Sequence, residues 1–150
     1  MQRAIDLSIE SVEKNTGGPF GTVIVHQGKI IAEGQNQVTA TCDPTAHAEV
    51  IAIRKACQHL QKFHLDDVEL YTSCEPCPMC LAAIYWAHIP VIYYAGLPED
   101  AASVGFDDSK LYNEIQLPKD QRELQMRPML REQAQKAFEL WSQSADKTEY

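Results

Sequence analysis

Apolar residues recur at helical spacing over residues 1 to 15, at Ile5, Ile9 and Val12, and predict a helix that Asn15 to Gly18 ends. The pattern then changes to a β-branched run, Thr22 to His26, a turn at Gln27-Gly28, and a second run, Lys29 to Glu33. Two short runs around a glycine-bearing turn predict a hairpin. Asn36 to Pro44 is polar and reads as a loop. Helical spacing returns from His47 to Leu60, with Ala48, Ile51, Ala52 and Ala56 on a broad apolar face. Val68 to Thr72 reads as a strand. Pro76 and Pro78 sit where a further helix begins, since proline is tolerated in a first turn; it runs to about His88, and Pro90 marks its end. Val91 to Ala95 reads as another buried strand and Gly105 to Asp108 as a loop. Arg131 to about Ser144 carries Ala134, Ala137, Phe138 and Trp141 at helical spacing and reads as a C-terminal helix. Leu111 to Met129 has no clear period and leaves a further strand and a plain extension both open.

The order helix, hairpin, helix, strand, helix, strand implies an α/β fold, a mixed sheet with helices on both faces. The crossover from Val68 to Ala95 is expected to be parallel and right-handed. The 150 residues suit one domain, 1–150, with a sizeable core. No apolar run is long enough to cross a bilayer, so no membrane partner is expected. The N-terminal Met1-Gln2-Arg3-Ala4-Ile5-Asp6-Leu7 is broken by charge and does not read as a secretion signal, which points to the cytoplasm.

Charge narrows the partners. There are 13 basic against 21 acidic residues, a net −8, and such a surface repels phosphate backbones unless its basic residues cluster. Clusters such as Arg54-Lys55 are short and isolated, so nucleic acid is not an expected partner.

The five cysteines are odd in number, and Cys77 and Cys80 form a Cys-x-x-Cys, which suits metal binding better than a disulfide framework. Two sulfurs three residues apart at a helix start lie on one face, and the helix N-terminus favours their thiolate form, the form that binds zinc. His47 supplies a nitrogen from the start of another helix. Thr45-Ala46-His47-Ala48-Glu49 and Glu75-Pro76-Cys77-Pro78-Met79-Cys80 together fit the His-x-Glu … Pro-Cys-x-x-Cys signature of zinc nucleobase deaminases. Three protein ligands leave a fourth zinc position for water, whose pKa zinc lowers to roughly 7. Glu49 beside that water can carry its proton to a substrate. His47 and Glu49 are two apart, and mid-helix they would face nearly opposite ways. Both must therefore sit in the first turn of their helix.

Structural zinc and redox pairing are the plainer readings of a Cys-x-x-Cys. Cys74, Cys77 and Cys80 also resemble part of an iron–sulfur run, but its fourth cysteine would fall at Ile84. A redox pair leaves Pro76, His47 and Glu49 without a purpose. Cys42, Cys57 and Cys74 read as ordinary small residues, and His26, His59, His64 and His88 as surface or core histidines.

Longer segments carry a closer resemblance. Gly17-Gly18-Pro19-Phe20-Gly21, Asp43 to Glu49, Tyr71 to Cys80, Gly105-Phe106-Asp107-Asp108 and the terminal Lys147-Thr148-Glu149-Tyr150 resemble the bacterial guanine deaminases of the cytidine/deoxycytidylate deaminase superfamily. The likeness is densest from Gly17 to Asn113 and weak from Lys119 to Gln133. It implies a three-layer α/β/α cytidine-deaminase-like fold with a mixed central sheet, one Zn²⁺ per subunit held by His47, Cys77 and Cys80, and a homodimer with an exchanged C-terminal segment. It implies guanine as the substrate, converted to xanthine and ammonia, with Glu49 as proton carrier. Asn36 and Asp108 match positions that hydrogen-bond the purine, Phe20 and Trp86 positions that pack against its ring, and Tyr150 a terminal residue that closes the pocket. Backbone N–H groups near Ala48 and Cys77 would stabilise the tetrahedral adduct. Without the resemblance, Asn36 and Asp108 are equally turn and cap residues, Phe20 and Trp86 core, and Tyr150 a frayed end. Two other functions stay open: a deaminase for another base or transfer-RNA adenosine, and a zinc-stabilised scaffold without catalysis.

Overall fold

Gln27 and Gly28 both take positive φ, 50° and 75°, and fold β1 (Gly21–His26) back onto β2 (Lys29–Gln35) as an antiparallel hairpin. The computed structural model describes residues 1–149. The chain forms two compact units, Met1–Ser109 and the segment from Lys110 onward. In the first, β3 (Val68–Cys74) runs antiparallel to β1, and β4 (Val91–Gly96) runs parallel to β3. Among the described residues this gives one mixed sheet in the order β2-β1-β3-β4.

Alternation along the strands assigns the two faces. Val23 packs with Ala4 and Leu7 of α1 (Gln2–Glu13), and Tyr71 lies against them. Ile24, Val68 and Leu70 point the other way, into a core shared with Ala52 and Ala56 of α3 (Ala48–Leu60) and Ile84 of α4 (Pro78–Trp86). The layers are therefore helix, sheet, helix. Among the described residues no helix is long and apolar enough to cross a membrane.

Three expectations need correction. The face of α1 that packs is Ala4, Leu7 and Ser11, while Ile9 and Val12 of the expected apolar stripe stay exposed. Small side chains at 4 and 11 let the helix approach closely, and the Ser11 hydroxyl donates to the Asn36 carbonyl at 3.3 Å. The strand at Val91 is not buried: β4 is an edge, and Tyr93 and Tyr94 are half exposed. An apolar run signals burial on both faces only for an interior strand. The loop from Asn36 to Pro44 contains a helical turn, α2 (Val38–Thr41), begun by the Asn36 side chain accepting the Val38 N–H at 3.2 Å.

The sequence pattern also passed over α5 (Pro98–Ser103), although Pro98 stands at its first position and Asp100 accepts the Leu97 N–H at 2.8 Å. In the second unit, α6 (Ser109–Gln116) is followed by irregular chain to Leu130 and then α7 (Arg131–Gln143). Arg122 ties the irregular part to α6 by donating to the Ile115 and Leu117 carbonyls at 3.0 and 2.9 Å. No described residue of this unit is buried, and Phe138, Leu140 and Trp141 of α7 lie open.

The start of α3 rests on Gly34 of β2. A Cβ at Gly34 would meet the Ala48 carbonyl oxygen at 2.0 Å and the Ala52 nitrogen at 2.9 Å, both backbone atoms that cannot turn aside. Gly34→Ala is expected to cost at least about 1–3 kcal/mol and to push the first turn of α3 away from the sheet. Thermal melting should fall, and zinc bound per chain should fall with it. A variant that melts and binds zinc as the parent does would contradict this packing.

Candidate active site

Two helix N-termini meet at one place, and the chemistry-bearing residues sit on them. His47 is the N-cap of α3 and Cys77 the N-cap of α4, both with extended backbone. Glu49 lies in the first turn of α3, as its spacing from His47 required, and Cys80 in the first turn of α4 behind Pro78. N-terminal N–H groups have no intrahelical acceptor, so both helices direct partial positive charge at this point.

His47 Nδ1 lies 3.6 Å from Cys77 Sγ and 3.5 Å from Cys80 Sγ, and the three atoms are within 4.8 Å of one another. A tetrahedral zinc with Zn–S near ~2.3 Å and Zn–N near ~2.0 Å holds sulfur and nitrogen about 3.6 Å apart. The trio therefore fits zinc without rearrangement. Among the described residues no fourth His, Cys, Asp or Glu atom joins it. Cys74, the candidate for a closed site, is buried and donates its thiol to the Leu97 carbonyl at 3.6 Å.

The charges suit a metal. The Cys77 thiol is pushed down to about 4, because the Cys80 S–H donates to it and His47 lies beside it. Cys80 is raised, because it shares its proton with Cys77 and is buried near Glu49. The hydrogen bond to Cys77 raises His47. The donors thus hold one sulfur already ionised and one proton that a dication would displace. Glu49 is buried, and burial raises its pKa. Its Oε2 lies 3.4 Å from Cys80 Sγ, and its Oε1 accepts from the Thr72 hydroxyl at 3.4 Å.

Of the other expected residues, Ala48 and Asp108 are tied to this centre. Asn36 is buried, and its Oδ1 accepts both the Gly18 and Val38 N–H groups at 3.2 Å. The oxygen end of the amide is thus taken up in shaping the turn. Gly17 is required here: a Cβ would meet the Asn36 carbonyl oxygen and Oδ1, both at 2.4 Å. Asp108 is half-buried and close enough to feel the charges of Cys77 and His47; burial raises its pKa. The capping role falls instead to Asp107, which accepts the Ser109 N–H at 2.9 Å. Phe20 is half-buried and meets Phe106 edge to face, centroids 5.0 Å apart. Ala48 is fully buried at the first position of α3.

Trp86 is not brought to this centre. It ends α4, two turns beyond Cys80 and 64 % exposed. Tyr150 lies outside the described residues. Thr72 and Phe106 stand in segments that carried the resemblance but were given no role of their own, and Thr22 was not singled out from sequence. A threonine pair on an inward strand face is a readable signal only once the strand register is known.

A buried carboxylate beside a three-ligand zinc centre at paired helix N-termini defines a zinc-dependent deaminase. Residues 1–96 match the family described as "Cytidine and deoxycytidylate deaminase zinc-binding region", and the chain belongs to it. It is 53% identical over 150 residues to the guanine deaminase of Bacillus subtilis (strain 168), covering 100% of this chain and 96% of that protein. The X-ray structure of guanine deaminase from Bacillus subtilis matches with a TM-score of 0.96 at 53% identity, covering 99% of this chain and 95% of that one. The tRNA-specific adenosine deaminase of Aquifex aeolicus (strain VF5) is 40% identical over 86 residues, 57% of this chain and 57% of that protein.

Metal analysis of the purified chain is expected to give one zinc per chain. His47→Ala and Cys77→Ser should lose it, and Cys74→Ser should keep it. Chelation should lower the melting temperature on the order of 10 °C, the value of a ligand present far above its Kd. Loss of zinc from Cys74→Ser would contradict the three-ligand site.

Proposed function

We propose that this chain removes the exocyclic amine of guanine by hydrolysis, giving xanthine and ammonia. The observation that carries this reading is the buried Glu49 carboxylate standing beside the His47, Cys77 and Cys80 trio without joining it. A purely structural zinc site has no use for an acid there. The near full-length likeness to a guanine deaminase selects the substrate.

Zinc held by the trio supplies Lewis acidity that makes water nucleophilic near neutral pH. Glu49 takes a proton from that water as its oxygen bonds to C2 of the base. It delivers the proton to the adjacent bare ring nitrogen, and a further proton transfer through Glu49 reaches the amine as the C2–N bond breaks. Ammonia leaves where an amide anion would not. Burial keeps the Glu49 proton affinity above that of an ordinary carboxylate, which suits a group that must both accept and donate. The unsatisfied N–H groups at the starts of α3 and α4, near Ala48 and Cys77, face the developing oxyanion.

Asn36 and Asp108 suit the far side of a purine. The five-membered ring carries one bare nitrogen and one N–H, which match the Asn36 Nδ2 amide as donor and the Asp108 carboxylate as acceptor. A ribosyl group would remove that N–H, so the free base is the substrate. Phe20, supported edge-on by Phe106, supplies an aromatic surface for the ring.

The whole chain, 1–150, acts as one deaminase domain in a homodimer whose C-terminal segment crosses to the partner. Support comes from that segment having no buried residue and from the open apolar face of α7. Trp86 would serve a base only in a neighbouring subunit's site, and Tyr150 would close the pocket from the exchanged segment. A cytoplasmic location agrees with five cysteines that are all free thiols.

Ammonia release from guanine, adenine, cytosine, guanosine and an RNA hairpin tests the substrate. Guanine should be turned over, and guanosine and RNA should not. Glu49→Gln should keep its zinc and lose at least about a hundredfold in kcat. A zinc-loaded chain that releases no ammonia from guanine would overturn the assignment.

A further inference from the structure

We infer that Thr72, seconded by Thr22, is a positioning residue for the proton carrier Glu49: a hydroxyl ladder on the sheet holds one carboxylate oxygen so that the other faces the reacting centre. The inference rests on the reading of Glu49 given above.

Thr22 of β1 and Thr72 of β3 are direct cross-strand partners, and both are essentially inaccessible to solvent. They stand on the face that carries Ile24, Val68 and Leu70, all buried hydrophobics. Valine has the same shape, suits a strand better and carries no polar atom to desolvate, so two hydroxyls in that place need partners. The Thr22 hydroxyl donates to Thr72 Oγ1 at 3.0 Å. That bond satisfies Thr22 but leaves the proton of Thr72, and Glu49 Oε1 lies 3.4 Å away to receive it.

The ladder runs one way: Thr22 donates to Thr72, whose own proton is then turned to Glu49 Oε1. The two oxygens of Glu49 then differ. Oε1 is tied to the sheet, while Oε2 turns to the trio, 3.4 Å from Cys80 Sγ. The contact from Thr72 is longer than a settled O–H···O bond, and a shift of a few tenths of an ångström closes it. A carrier that must reach water, ring nitrogen and amine in turn needs one oxygen free and its plane held. Small misplacements of such a group cost up to a hundredfold.

The test compares Thr72→Val, Thr72→Ser, Thr22→Val and the double Thr22→Val, Thr72→Val chain on whichever base amine the parent turns over. Thr72→Val should lose about ten- to a hundredfold in kcat with KM and zinc content unchanged. Thr72→Ser, which keeps the hydroxyl, should recover to within a few-fold of the parent, and Thr22→Val should lose a smaller factor. The double variant buries no unpaired hydroxyl, so it should melt no lower than the parent yet remain slow. A crystal structure of zinc-loaded Thr72→Val should show the Glu49 carboxylate turned. Parental kcat in Thr72→Val, or equal losses in Thr72→Ser and Thr72→Val, would overturn the positioning role. A parent that releases ammonia from no base would instead overturn the reading of Glu49 and this inference with it.

Discussion

The site depends on two helices beginning at the same point in space. Cys77 caps one, His47 caps the other, and their ligand atoms come within 3.6 Å. This convergence does several things at once. It brings a nitrogen and two sulfurs to tetrahedral spacing, directs backbone N–H groups at the thiolates, and keeps Glu49 within one turn of the metal ligands. Gly34 makes it possible, because α3 can settle on β2 only where no side chain intervenes. The sheet is therefore the platform for the chemistry as well as the core.

Burial around this point is divided by role. Cys80, Glu49, Ala48 and Asn36 lie deep, whereas His47 and Cys77 are half-buried. A desolvated carboxylate holds its proton more tightly, and a thiolate stabilised by a neighbouring S–H gives its proton up. The same few side chains thus set a carboxyl that keeps its proton beside a thiol that loses one.

Local features were legible in the sequence. The meeting of His47, Cys77 and Cys80 and the first-turn place of Glu49 could be read because their spacings are short and each spacing has a meaning at a helix start. The hairpin, α3, β3, α4 and α7 could be read from periodicity and from prolines. What failed depended on distant parts of the chain. Val91 to Ala95 has an interior strand's composition, yet it is an edge, and only the strand order reveals that. The packed face of α1 is decided by how closely the sheet admits it, so Ala4 and Ser11 displaced the more hydrophobic Ile9 and Val12. Thr22 and Thr72 are 50 residues apart and become a pair only through the register of β1 and β3. Trp86, matched to a ring-packing position by resemblance, stands at the far end of α4 from Cys80 within its own chain, which no local pattern could have told.

X-ray absorption at the zinc edge of the resting protein addresses the open coordination most directly. The expected spectrum has two sulfurs, one imidazole nitrogen and one oxygen around the metal, and it should be unchanged in the Glu49→Gln chain because that oxygen belongs to solvent. A third sulfur, or an oxygen that disappears with the Glu49 carboxylate, would show the fourth position closed by the protein and would contradict a hydrolytic centre.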